Sequence, residues 1–266
     1  MIPGQEARQA TRPEARQATG PEPDAGPGAG GGLREEVAEA ANVLAGLGLV
    51  TAYGHVSARA GESMLITPAA DLAFVTGSGV IEVPLAASAR PTGKLPAGAP
   101  AEAWAHLALY HARPGAAAIA RAQPASAFAA AAVVTRLVPL HGQAAWLGES
   151  VPVHHDAALL RSPEQAERAA LCLPAGEALL LRGNGALTLG ATPGLAVARM
   201  WLLAAACDVY LTALAASGAN PVTPLSGEEI TSWRAVGGEL LPRLWQHLRR
   251  RAGPGFAGPD PGEVQS

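Results

Sequence analysis

Apolar residues recur at helical spacing in several separate segments of the chain. In the first of them, Val37, Ala40, Val43 and Leu44 share one face, which predicts a helix of about three turns from Leu33. Further helices are predicted where capping residues or proline introduce an apolar segment. These helices cover 101–112, the Ala-rich stretch after Pro124, the segment opened by Ser162-Pro163, the segment from Thr192-Pro193 to near Gly218, and a last helix after Ser226 that carries Trp233 and Trp245.

Short apolar or alternating runs bounded by glycine and proline predict strands. They lie at 56–59, 64–67, 80–84 and 116–122, and on both sides of the tight turn Gly183-Asn184-Gly185. Residues 86–99 are expected to form an irregular loop. Because helices and mostly antiparallel strands are interspersed without a regular strand–helix repeat, the pattern predicts an α/β domain that is not doubly wound.

Composition divides the chain into one domain and two tails. Residues 1–32 are rich in Gly, Pro and Ala and contain a near-duplicated Glu-Ala-Arg-Gln-Ala-Thr segment, so we expect a disordered low-complexity tail. Residues 33–252 form the predicted domain, and 253–266 a flexible C-terminal tail. With 49% hydrophobic and only 4% aromatic residues, the core must consist mainly of Ala, Leu and Val.

Charge and cysteine usage narrow the classes of partner. The 19 basic and 22 acidic residues give a net charge of -3, which provides no cationic field for nucleic acid or anionic lipid. The apolar run 200–216 is interrupted by Asp208 and is interpreted as a buried helix rather than a membrane span. Cys172 and Cys207 lack metal-ligand spacing, so free thiols and a cytoplasmic location are expected.

Several motifs, in order, resemble those of the class II aldolase and adducin head family. They are the Gly-His-Val-Ser-Ala-Arg segment at 54–59, the segments at 100–110 and 179–190, Leu-His-Gly at 140–142, and the Asn-Pro approach to the last helix at 220–226. Nearly all of 33–248 follows the family's order of elements. The resemblance implies a three-layer α/β/α fold with a central, mostly antiparallel sheet, and homotetramers with sites between neighbouring subunits.

The resemblance also implies a metal-dependent chemistry from which this sequence departs. Family members hold zinc or manganese on a His-x-His pair and a third histidine, and a glutamate matched by Glu102 transfers the proton. The ligand positions correspond here to Arg121, Gln123 and Asn184. A guanidinium has no lone pair to donate, and amide oxygens alone are poor zinc ligands, so no metal site is predicted at these positions.

Two interpretations of Arg121 remain open. Residues 121 and 123 lie two apart on a strand, so Arg121 and Gln123 face the same side and could hold a carboxylate or an enolate oxygen without a metal. Glu102 would then act as acid or base. Alternatively, Glu102 and Arg121 form a buried ion pair that fills a vacated site.

The loop at 54–59 supplies the candidate substrate contacts. The resemblance places Gly54, His55 and Ser57 where a substrate phosphate or carboxylate is held, together with Gln123 and Asn184. His55 resembles the decarboxylase branch of the family more than the sugar-phosphate aldolases, which have asparagine there. The alternative for His55 is a turn residue that bonds its own backbone. His106, four residues after Glu102 on a predicted helix, would share a face with it.

These observations give two hypotheses. The first is a cytoplasmic lyase that cleaves a carbon–carbon bond of a small hydroxy or keto acid through an enolate, by aldol cleavage or decarboxylation. In it Glu102 and Arg121 are the catalytic residues, no metal is required, and the substrate is a small carboxylate or sugar acid. The second is a catalytically inactive relative that serves in binding or assembly, as adducin heads show to be possible.

Overall fold

A single eight-stranded sheet organises the described part of the chain, which in this computed structural model covers residues 32–85, 93–218 and 220–253. The strands lie in the order β3-β2-β1-β4-β8-β7-β6-β5, and every neighbouring pair is antiparallel except β6 and β7. Their bounds are β1 His55–Ala60, β2 Ser63–Ile66, β3 Ile81–Pro84, β4 Ala118–Ala122, β5 Arg136–Leu137, β6 Val151–His154, β7 Ala178–Leu181 and β8 Gly185–Gly190.

Helices cover both faces of the sheet. Their bounds are α1 Leu33–Gly46, α2 Ala103–Ala112, α3 Ala125–Val133, α4 Pro163–Leu171, α5 Pro193–Ser217, α6 Gly227–Ala235 and α7 Gly237–Ala252. One apolar cluster joins α1, α3, α5 and α7 to one face, and a second joins α2 and α4 to the other. The predicted three-layer α/β/α arrangement with a mostly antiparallel sheet is therefore confirmed.

Strand β4 lies in the interior of the sheet and carries the central site residue. All five of its residues are buried, and it pairs with β1 on one side and β8 on the other. His55 stands opposite Arg121 across the β1–β4 pair. Consequently Arg121 is held between two strands whose ends supply other predicted site residues.

The turn between β7 and β8 positions Asn184 beside β4. Gly185 has φ +84°, and a Cβ atom there would lie 2.2 Å from the carbonyl oxygen of Ala122. Only glycine permits this close approach, which brings the turn against the end of β4. The predicted tight turn at 183–185 is present between β7 and β8, and β8 already begins at Gly185.

Some boundaries differ from the predictions. The last predicted helix is two helices, because the chain turns at Val236 and Gly237 packs against Trp146, whose ring would be 3.0 Å from a Cβ at that glycine. The short strands β5 and β6 have no clear sequence signal. The predictions for 1–31, 86–92 and 254–266 fall outside the described residues.

Among the helices of the described ranges, α5 is the one whose length and composition would allow it to cross a membrane. The same features are found in core helices of globular domains. Eleven residues of α5 are buried, the last of them Cys207, and the helix packs on β4 and β8. The prediction of a buried helix over 200–216 is therefore correct up to Cys207 and wrong for 208–216, where Val209 and Leu214 are exposed.

Candidate active site at the end of strand β4

A cleft of about 770 Å³ opens where β4 ends. Six of the seven predicted site residues line it: Gly54, His55, Glu102, Arg121, Gln123 and Asn184. They come from three different strands or strand ends and from the residue that precedes α2. The sheet topology thus brings together residues that lie as far apart in sequence as positions 54 and 184.

Arg121 forms the centre of a closed polar cluster. Its Nη2 lies 3.0 Å from Oε2 of Glu102 and donates to both the backbone and the side-chain oxygen of Asn184. The Asn184 side-chain amide donates in turn to Oε1 of Glu102 at 3.2 Å. Both carboxylate oxygens of Glu102 are therefore engaged, and Arg121 is only 1% exposed.

Gln123 completes the surroundings of the guanidinium. With its amide oriented to suit its neighbours, the Gln123 side-chain oxygen accepts from Nη1 of Arg121 at 3.2 Å. Its nitrogen donates to the backbone carbonyl of Tyr53 at 3.2 Å. Arg121 and Gln123 therefore face the same cleft, as their spacing predicts, but they also bind each other.

The charge of this cluster is balanced within it. Burial lowers the pKa of Arg121, and the neighbouring Glu102 opposes that shift. Because an arginine in a protein keeps its proton, the floor of the cleft holds a buried cation whose charge is matched by one carboxylate. Such an arrangement can present N–H donors to an oxyanion, provided that the ligand competes with the existing acceptors.

A second polar cluster lies behind His55. Ser57 Oγ is 2.8 Å from Nδ1 of His106 and 2.9 Å from the hydroxyl of Tyr110, and all three residues are buried. The His106 ring contacts that of His55, with centroids 5.8 Å apart. Ser57 does not line the cleft, so the structure places it behind His55 rather than against a substrate.

Both histidines are held neutral. Burial is the largest cause that lowers the pKa of His106, to about 3, and Arg121 adds to it. Burial, followed by His106 and Arg121, likewise lowers the pKa of His55 well below its usual value. Burial also raises the pKa of Tyr110, so its hydroxyl keeps its proton. At neutral pH the wall of the cleft beside Arg121 therefore carries no second cation from these rings.

The donor set at the cleft floor does not fit the divalent metal that family members use. Arg121, Gln123 and Asn184 bring a cation and two amides, and the guanidinium already pairs with Glu102. Within the described ranges no group of three or more His, Cys, Asp or Glu side chains is arranged to hold a metal ion. His154 lies elsewhere, where its Nδ1 is 3.5 Å from the thiol of Cys172.

Sequence reasoning missed part of this arrangement. Glu102 lines the cleft and His106 does not, because Glu102 precedes the first turn of α2 and Nδ1 of His106 lies 2.8 Å from Oγ of Ser57. Tyr110 gives no signal, since an aromatic residue in an apolar helix indicates core packing. Asp71 and Arg161 also line the cleft and were not predicted; charged side chains on loops carry no positional signal of their own.

Comparison with known proteins relates the fold to a family. The family model described as "Class II Aldolase and Adducin N-terminal domain" matches residues 35–211. L-fuculose-1-phosphate aldolase from Thermus thermophilus is 30% identical, with a TM-score of 0.62 over 71% of this chain and 98% of that one. No curated protein matches the sequence.

Two further solved structures agree in fold. L-fuculose 1-phosphate aldolase from Glaciozyma antarctica PI12 has a TM-score of 0.66 at 22% identity, over 82% of this chain and 88% of that chain. An aldolase II superfamily protein from Pseudomonas syringae also has a TM-score of 0.66 at 22% identity, over 83% and 91%. At such identities the likeness concerns the fold alone.

Proposed function

This chain belongs to the class II aldolase and adducin N-terminal domain family, and we propose that it is a lyase that cleaves a carbon–carbon bond of a small hydroxy or keto acid. Family membership supports an aldolase-like lyase at the level of the superfamily. The finer proposal is aldol cleavage or decarboxylation through an enolate, with Arg121 in place of a metal. The observation that carries it is the buried Arg121 guanidinium beside Glu102 at the floor of the cleft.

The proposed steps use the chain's own residues. In aldol cleavage, Glu102 accepts the proton of the substrate hydroxyl, the carbon–carbon bond breaks, and its electron pair passes to the carbonyl oxygen to give an enolate. Donors from Arg121 and Gln123 stabilise that oxygen, and the proton then returns to the enolate carbon. In decarboxylation of a keto acid, the bond to the carboxylate carbon breaks, carbon dioxide leaves, and the electron pair passes to the keto oxygen to give an enolate held by the same donors. A proton from solvent, transferred through Glu102, then adds at the enolate carbon.

The substrate size is proposed from the cleft, and the partners and assembly from the net charge and the family resemblance. Alanines at 52, 69, 70 and 101 line the cleft beside polar and charged side chains, which suits a short hydroxylated acid. His55 and Asn184 would contact the substrate, and Ser57 would position His55 through His106. We expect a cytoplasmic homotetramer without nucleic-acid or membrane partners. His55 favours decarboxylation slightly over aldol cleavage.

The test is a screen of the full chain against small hydroxy and keto acids, followed by Glu102→Gln and Arg121→Met. Each change should lower kcat by about 100-fold or more, since each removes a proton acceptor or an oxyanion donor. Arg161→Met at the same cleft serves as a control that alters charge without touching the cluster. Unchanged turnover in both variants, each checked to be folded, would exclude the proposed roles.

The proposed independence from a metal is tested by elemental analysis. The untagged protein is dialysed against zinc, manganese or cobalt, washed in metal-free buffer and analysed for its elements. We expect no stoichiometric metal to remain, because the donors at the cleft floor are one guanidinium and two amides. About one retained metal per subunit would overturn this part of the proposal and restore Lewis-acid chemistry.

The closed ion pair also favours a second candidate, an inactive relative retained for binding or assembly. Both oxygens of Glu102 are engaged in the cluster, as they would be in a purely structural ion pair. If Glu102→Gln and Arg121→Met leave the binding of small carboxylic acids and every screened lyase activity unchanged, this candidate is preferred. Loss of ligand binding in a folded variant argues against it.

A further inference from the structure

We propose that the Arg121 guanidinium is a carboxylate-binding site that Glu102 occupies in the ligand-free protein, and that an incoming ligand carboxylate displaces Glu102. The class of ligand rests on the function proposed above. The displacement itself is a binding event and can be measured without turnover.

One nitrogen of Arg121 has more acceptors around it than hydrogens to donate. Nη2 carries two hydrogens but faces four acceptors: Oε2 of Glu102 at 3.0 Å, the Gln123 side-chain oxygen at 3.3 Å, and the backbone and side-chain oxygens of Asn184. At most two of these can be well satisfied at once. The Glu102 contact is therefore one that another carboxylate can replace without leaving an N–H unpaired.

Glu102 is the more exposed partner of the ion pair. Both residues line the cleft, but Glu102 is 8% exposed and Arg121 is 1% exposed. The carboxylate is therefore the partner with more freedom to move towards the cleft. Glu102 stands at the start of α2 and its side chain makes no capping hydrogen bond, so its rotation would not remove a cap from the helix.

Replacement of Glu102 by a ligand carboxylate keeps the charge around Arg121 balanced. A ligand carboxylate matches the charge and the planar geometry of the one it replaces, and an arginine binds such groups through paired N–H donors. His55 and His106 are neutral beside Arg121, so no further cation compensates a second anion there. Asp71 and Arg161 also line the cleft and carry opposite charges.

Glu102 would become available as a proton acceptor only when a ligand binds. In the ligand-free state its two oxygens are held by Arg121 and Asn184, and it is poorly placed to accept a proton. Displacement by the substrate's own carboxylate would release Glu102 from both bonds towards the open side of the cleft, where water can solvate its charge. Binding and the exposure of the proton acceptor would then be a single event.

The experiment is calorimetric titration of the full chain with oxalate and with glycolate. Glu102→Gln should bind oxalate about tenfold more tightly than the wild type, because the neutral amide competes less for Arg121 and does not repel the ligand. Asp71→Asn is the matched control, since it removes one negative charge from the same cleft without touching Arg121. It should change the affinity by less than about threefold.

Three other outcomes would contradict the displacement of Glu102. Equal tightening in both variants would mean a general charge effect, and weaker binding by Glu102→Gln would mean that Glu102 helps to hold the ligand. Absence of binding by the wild type and Glu102→Gln alike would mean that no carboxylate site exists; each of these results overturns the displacement.

The Glu102→Gln, Arg121→Met double variant, if folded, should lose the affinity gained by Glu102→Gln alone. A chain with no lyase activity that still shows the expected order of affinities would overturn the proposed function and leave this inference standing.

Discussion

Oε2 of Glu102 lies 3.0 Å from Nη2 of Arg121, and the two residues are only 8% and 1% exposed. Removing two ions from water costs several kcal/mol per ion, which their attraction and additional hydrogen bonds must offset. Asn184 provides these additional bonds to both partners. The pair is therefore stable as a unit and costly to break from one side.

Arg121→Met should lower the free energy of unfolding by about 3–5 kcal/mol, because it leaves the Glu102 carboxylate buried without its cation. The double variant with Glu102→Gln should recover part of this loss. Urea denaturation of the two single variants and the double variant measures the coupling. Arg249→Met is the surface control: it removes the partner of Glu39 in an ion pair that is about two-fifths exposed, and should cost about 1 kcal/mol or less. Additive losses in the cycle would contradict the proposed coupling.

The free energy of unfolding should fall as the pH drops from about 6.5 towards 3. His106 has a pKa of about 3 in the folded chain and 6.5 as its usual value, so in this range the unfolded chain binds a proton that the folded chain does not. Stability is thus fully present above 6.5, and each such histidine removes about 1.4 kcal/mol per pH unit below it. Unfolding followed at several pH values measures the slope.

His106→Gln is the variant that isolates this contribution. It should flatten the pH dependence over the same interval, although His55, whose pKa is also lowered, retains its own share. Thr188→Val, which removes no titratable group, serves as the control and should leave the slope unchanged. A slope that persists undiminished in His106→Gln would show that other groups carry it.

Ser57→Ala should cost about 1–3 kcal/mol of stability, because it leaves Nδ1 of His106 and the Tyr110 hydroxyl without their shared partner. Tyr110→Phe should cost less, since the bond between Ser57 and His106 remains. Thr188→Val removes a buried hydroxyl that bonds to Ala196, and is the control. Nuclear magnetic resonance of the His106 ring should change in Ser57→Ala and not in Thr188→Val; the opposite result would reject the cluster.

Two glycines of one turn should respond differently to substitution. Gly185→Ala should cost about 3 kcal/mol or more, because a Cβ there would lie 2.2 Å from the Ala122 carbonyl oxygen in a left-handed backbone. Gly183 also has a left-handed backbone, with φ +69°, but a Cβ atom there would lie 3.5 Å from its nearest neighbour. Gly183→Ala is therefore expected to cost about 1–2 kcal/mol of strain. Thermal unfolding compares the two, and similar losses would contradict the close approach of the turn to β4.

Local patterns predict most of the elements because each has its own boundary signal. The capping box at Ser162 and the Thr192-Pro193 start of α5 lie where the sequence places them. The segment after Ser226 is predicted as a single helix, because the capping box at Ser226 marks one helix start. The break at Val236 instead depends on the packing of Trp146 against Gly237. Packing of this kind has no local signal.

The site could be predicted only in part. Alternation along β4 predicts that Arg121 and Gln123 share a face, and both line the cleft. The spacing from Glu102 to His106 predicts a shared helix face, but α2 begins after Glu102, and only Glu102 lines the cleft. The bonds of Ser57 to His106 and Tyr110 join residues 49 and 53 positions apart, so only the assembled sheet brings them together.

The position of β4 between β1 and β8 also constrains how the chain folds. Arg121 meets Asn184 across 63 residues, and Glu102 meets Asn184 across 82, so the loops that these contacts close are long and form slowly. Until the turn before β8 has docked, a buried Arg121 would lack the two Asn184 oxygens that accept from its Nη2. Intermediates with an incomplete sheet are thereby disfavoured, and the charged cluster makes assembly of the central strands more nearly all-or-none.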